Sequence, residues 1–94
     1  MADRQAIERR AALLVRALEE RGRTAAARGA EVAVLLGAPG ASAVRSLSRR
    51  LPALRLRTGD GSLLLDIRSI SEDDIARVAE VVAAELLSVE GTRA

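Results

Sequence analysis

The sequence predicts a mainly α-helical α+β domain with one β-hairpin, its elements in the order helix-helix-helix-strand-strand-helix. Three observations predict it. Apolar residues recur at three- and four-residue spacing in stretches that stop at Gly or Pro, the mark of amphipathic helices. Between two of these stretches, residues 54–67 alternate apolar and polar around a Gly-rich turn, the mark of a hairpin. The 94 residues, 49% hydrophobic and 30% charged, have the balance of one globular domain rather than of a disordered chain. A core of that size is marginal on its own, so a homodimer is expected, joined through the first helix or the last.

Taken in order, residues 3–21 place Ile7, Ala11, Leu14 and Leu18 on one stripe and reach a natural stop at Gly22. The run from Ala25 to Leu36 is ambiguous. Its Ala content favours helix, whereas alternating Val32, Val34 and Leu36 suit a strand. A helix over 30–36, closed by Gly37, is the expectation, with Thr24 as a candidate N-cap upstream. Residues 41–51 form a clearer helix: Val44, Leu47 and Leu51 share a face, and Pro52 ends it. In the hairpin, Leu54 and Leu56 alternate with Arg55 and Arg57. After the turn Thr58-Gly59-Asp60-Gly61, Leu63, Leu65 and Ile67 alternate with Leu64, Asp66 and Arg68. The last helix, 71–89, opens on Ser71 with Asp74 three residues on and with Ile70 and Ile75 as a hydrophobic staple. Its stripe of Ile75, Val78, Val82 and Leu86 is joined by Val81, Leu87 and Val89, more apolar surface than one face needs, which suits a dimer contact.

The chain lacks Cys, His, Lys, Asn, Phe, Tyr and Trp, and all fifteen of its cations are Arg. No thiol nucleophile, imidazole base or ordinary zinc site can be built from what remains, and a Lys-dependent phosphate loop is excluded. Glu72, Asp73 and Asp74 could serve acid/base or Mg²⁺ chemistry, but they open a helix, where capping explains them. The expectation is therefore a non-enzyme without cofactor or metal. No apolar run approaches the ~20 residues that span a bilayer, and no signal-peptide core is evident, so a cytoplasmic location is expected.

The charge is unevenly placed. Residues 24–68 carry seven Arg against three acids, whereas residues 69–94 carry two Arg against six acids. A basic centre with an acidic tail helix gives any bound polyanion a direction. On the helix 41–51, burying Val44, Leu47 and Leu51 turns Ser42, Arg45, Ser46 and Arg49 to the opposite side, with Arg50 on the flank. Arg can grip guanine bidentately and Ser can donate to phosphate. Arg55 and Arg57 would reach the phosphate backbone or the minor groove from the hairpin, as would Arg28.

Residues 30–37, Ala-Glu-Val-Ala-Val-Leu-Leu-Gly, followed by 41–51, Ala-Ser-Ala-Val-Arg-Ser-Leu-Ser-Arg-Arg-Leu, resemble the two helices of a winged helix-turn-helix domain, with residues 54–67 as the wing. The resemblance covers 8–68 and leaves 71–89 as a further helix for dimerisation. It implies a DNA-binding transcriptional regulator or accessory protein that places helix 41–51 in the major groove of duplex DNA. The turn Gly37-Ala38-Pro39-Gly40 is about one residue longer than the commonest form.

Two other readings stand beside this one. Gly37-Ala38-Pro39-Gly40 is also a GxxG and is similar to the loop of a KH domain, which implies an RNA or single-strand binder, although Ala38 and Pro39 stand where that family usually carries a basic residue. The other is an adaptor domain that binds protein and no nucleic acid. If residues 31–36 form a strand that pairs with the hairpin, the recognition-helix argument weakens and the adaptor reading gains most.

Overall fold

A computed structural model describes residues 4–36 and 41–91. Its elements run α1 (Arg4–Glu20), β1 (Ala25–Arg28), β2 (Glu31–Leu35), α2 (Ala41–Arg50), β3 (Leu56–Gly59), β4 (Ser62–Asp66) and α3 (Ile75–Gly91). The fold is α+β, as expected. Its order is not the expected one, because two strands stand where the second helix was placed.

Helix α1 follows its stripe, with Ala11, Leu14 and Leu18 buried. It ends where the sequence stops it: Gly22 takes φ 81, and the N–H groups of Arg23 and Gly22 donate to the carbonyls of Leu18 and Glu19, each at 3.0 Å. These two bonds are those of a Schellman cap, which a left-handed Gly permits without strain.

The chain then turns back as a hairpin. Arg28 pairs with Glu31 across the two-residue loop Gly29-Ala30, and Gly29 at φ 62 supplies the positive φ that such a loop requires at its first position. The helix expected over 30–36 is therefore corrected to strand β2. Thr24, expected to cap a helix, directly precedes β1 instead, and its carbonyl accepts the Leu35 N–H at 2.9 Å. The physical reason is pairing at a distance. β2 lies between β1 and β4, in the antiparallel order β1-β2-β4-β3, and Val32 and Val34 stand opposite Leu65 and Leu63. Alternating β-branched residues in a central strand gain two ladders and a buried face, which outweighs the modest helix preference of the alanines.

The second hairpin is tighter than expected. Gly59 pairs with Ser62, so the loop is Asp60-Gly61 alone, with φ 52 and 75, the two positive values that an Asp-Gly hairpin turn provides. After β4 come 3-10 turns at Ile67–Ser69 and Glu72–Asp74. Ser71 precedes the second of these but makes no side-chain cap; its hydroxyl donates to Asp74 Oδ2 at 2.8 Å instead. The helix proper therefore begins at Ile75 rather than at 71.

All three helices cover one face of the sheet. Val32, Val34, Leu63 and Leu65 from that face form one core with Ala11, Leu14 and Leu18 of α1, Ala43 and Leu47 of α2, and Val78, Ala79, Val82 and Leu86 of α3. Full burial of each such Leu or Val stabilises by about 1.5–3 kcal/mol. The surplus on α3 divides: Val81 and Val89 are half-buried beside the core, whereas Leu87 is 68% exposed.

Candidate interaction surfaces

Strand alternation sends the other residues to the far side of the sheet. There stand Ala26 and Arg28 of β1, Glu31, Ala33 and Leu35 of β2, Ser62, Leu64 and Asp66 of β4, and Arg57 and Gly59 of β3. Ala33 and Leu64 lie outside the core that the helices build, and no described helix covers this outer face. Its centre, Ala33 and Leu64, is apolar but covered, its apolar end exposes Leu35 at 55%, and its other end is charged, with Arg28, Glu31, Asp66 and Arg55 in one row.

Two ion pairs organise the charged end. Arg57 Nη2 and Nε donate to the two carboxylate oxygens of Glu31 at 3.0 and 3.2 Å. Because β4 separates β3 from β2, this pair bridges across β4 above Leu64. Leu64 is left only 6% exposed on a face without a helix. Beside it, Arg68 donates from Nε and Nη2 to both Asp66 oxygens at 3.1 Å, and its backbone N–H donates to Oδ1 at 3.0 Å. The Arg68 side-chain bonds hold the Asp66 carboxyl below its ordinary value; partial burial opposes them, and the Arg68 backbone N–H and the charges of Arg68 and Arg55 add to them. Asp66 in turn raises the Arg68 guanidinium. Arg55 is locked by its backbone: its carbonyl accepts the Asp66 N–H at 2.9 Å, and its N–H donates to Ser69 Oγ at 3.0 Å.

The residues singled out from the sequence fall into two groups. Ser42, Arg45, Arg49 and Arg50 are exposed on α2 and Ser46 is half-buried, all in the helical layer. Arg45 and Arg49 form no ion pair with another described residue, whereas Arg50 Nε lies 3.6 Å from Glu85 on α3. Arg55 and Arg57 project from the opposite side of the sheet, where Arg28 joins them. The Gly37–Gly40 turn lies outside the described residues, and what precedes it is a strand. Sequence reasoning missed Glu31, Ala33, Leu64, Asp66 and Arg68 as members of one surface. The alternation of residues 31–35 was the available signal.

The acidic trio is engaged in part: Arg9 Nη2 on α1 donates to Glu72 at 2.6 Å in a bond between distant segments, and Asp74 accepts locally from Ser71. Among the described residues no group of three or more acidic, His or Cys side chains is placed to hold a metal ion, and no helix is long and apolar enough to cross a membrane. No family model, curated protein or solved structure matches this chain.

Proposed function

We propose that this chain is a non-catalytic protein-interaction module and that its docking surface is the outer face of the sheet. One observation carries the reading: a helix-free face combines the exposed Leu35, continuous with Ala33 and Leu64 that neighbouring side chains cover, with ion pairs at its charged end. Protein interfaces have that make-up, an apolar middle with complementary charge around it. A phosphate-binding surface is built of unpaired cations, whereas here Glu31 and Asp66 sit among the arginines and no aromatic ring is present for base stacking.

The test places a photo-crosslinking amino acid at Leu35 on the outer face and, in a second version, at Arg16 on the exposed side of α1. In the native cells, the Leu35 version forms polypeptide adducts that Arg57→Glu suppresses, and the Arg16 version does not. Equal adducts from both positions, or adducts to nucleic acid alone, overturn the reading.

A second reading is favoured by one feature of α2. Arg45 and Arg49 stand a helical turn apart, exposed and without an ion pair to another described residue, beside Ser42. In this reading α2 acts as the recognition helix of a cytoplasmic DNA-binding regulator, without the wing, because Arg55 and Arg57 lie on the other side. Arg45→Ala or Arg49→Ala would then cost about 1 to 3 kcal/mol at one base position. Anisotropy with random duplex DNA and single-stranded RNA at about 50 and 200 mM salt decides it: steep salt-dependent duplex binding supports this reading, and no binding removes it.

A further inference from the structure

We propose that this chain forms a symmetric dimer through the free edge of β1, which pairs with β1 of a second copy across a two-fold axis at Ala26 and joins the two sheets into one. In the β1-β2 ladder the Leu35 N–H bonds to the Thr24 carbonyl, so Thr24 and Leu35 are a hydrogen-bonded pair. By alternation Ala26 and Arg28 also bond to β2. The N–H and C=O groups of Ala25 and Ala27 therefore point the other way, to a side where no described strand lies. Such an edge is a template for another strand unless something blunts it.

Nothing in β1 does so. The strand has an unbroken register, no Pro, and no charge before Arg28 at its end. Ala27 stands opposite Val32 on the helical side and is nevertheless exposed, so α1 does not overhang the edge. The other edge of the sheet differs. The Asp66 N–H bonds to the Arg55 carbonyl, so by the same alternation Leu56 and Thr58 of β3 turn outward. Symmetric pairing there sets Arg57 opposite Arg57, a like-charge pair, and α2 packs against that strand.

The occupant that fits β1 is β1 itself. Antiparallel strands with Ala26 opposite Ala26 set Ala25 of each copy opposite Ala27 of the other, and both of these are hydrogen-bonded pairs. Any other register leaves one such pair or none. In this register Arg28 meets Thr24 and Arg23 meets Gly29, so no like charges are opposed. Helix α1 adds to the contact. It runs back along β1, with the Leu18 carbonyl accepting from Arg23 just before the strand and with Ile7 and Ala11 bordering a depression with Ala27 and Gly29 at its end. Ala26 lies about 10 Å beyond Arg23, a length that about seven helix residues cover, which brings the axis beside Ala11 and Ala12. These small residues permit close approach of a second α1. Equally far to either side stand Arg4 and Glu19, both exposed, so antiparallel α1 helices bring Arg4 of each copy to Glu19 of the other. Arg4 already pairs with Glu8 at 3.3 Å in its own chain and would lie between two carboxylates.

Sedimentation velocity of the unaltered chain gives a dimer and nothing larger, because a two-fold contact closes on itself. Ala27→Pro removes an N–H that points outward and spares every bond to β2; circular dichroism finds it folded and sedimentation finds it monomeric. Should that variant fail to fold, substitutions at the exposed Ala26 decide. Ala26→Glu and Ala26→Arg each put like charges together on the axis and weaken the dimer about two- to fivefold. Mixed one to one, the two variants form mixed dimers in native mass spectrometry beyond the proportion that random pairing gives. A monomeric unaltered chain, species larger than a dimer, a folded Ala27→Pro that still dimerises, or random mixing of the two Ala26 variants overturns the proposal. None of these outcomes bears on the Leu35 crosslinks, which read a different surface.

Discussion

The two faces of the sheet are made from the same four strands and do opposite things. On the inner face Val32, Val34, Leu63 and Leu65 are sealed under three helices. On the outer face Ala33 and Leu64 are shielded by neighbouring strand residues, with an ion pair bridging above Leu64. Burial under helices is apolar, dense and permanent, whereas a cover made of exposed side chains is held by interactions that water and salt weaken. The difference teaches where stability resides: the inner face holds the fold, whereas the cover of the outer face rests on exposed side chains.

Substitutions sharpen that comparison, in descending size. Leu65→Ala on the inner face opens a closed cavity and costs about 2 to 5 kcal/mol, read from denaturant unfolding. Leu64→Ala, one residue away on the outer face, leaves a depression that solvent can enter and costs about 1 to 2 kcal/mol. Equal losses for the two would erase the distinction between the faces. Gly61→Ala forces a Cβ into φ 75 at the loop that registers β3 on β4 and costs about 1 kcal/mol. Arg57→Ala removes an exposed ion pair worth about 0.5 kcal/mol and increases binding of an apolar dye as Leu64 loses its cover.

The smallest effect is a titration. Because Asp66 is held below its ordinary value in the folded chain, its contribution is complete above the ordinary aspartate range and is lost as pH falls through the lowered value. A carboxyl-carbon NMR titration of Asp66 therefore gives a midpoint below that of an ordinary aspartate, and Arg68→Ala moves it up. An unmoved midpoint would mean that Arg68 does not hold the carboxylate.

Much of the fold was readable locally. The stripe and Gly22 stop of α1, the span of α2, the Asp-Gly hairpin and the apolar face of α3 each follow from residues within a few positions of one another. The stretch 31–35 was not readable in this way, because Glu-Val-Ala-Val-Leu satisfies either period over so short a length and its deciding partners, Leu63 and Leu65, lie some thirty residues on. Of the candidate site, the exposure of Arg45 and Arg49 was readable from the burial of Leu47 on the same helix. The company of Arg57 was not, since its partner Glu31 lies 26 residues away in a segment whose local pattern fits either helix or strand.

The sequence by itself determined the helices, the second hairpin, an all-Arg cation set without His or Cys, and a basic middle followed by an acidic end. These follow from composition and from contacts within a turn or two. Only the tertiary structure decided that residues 31–35 are a central strand, and hence that Arg55 and Arg57 share a face with Glu31 and Asp66 rather than with α2. Sheet order is a long-range choice: a strand turns alternate side chains to opposite sides, but which side receives the helices is set by the packing of the whole chain.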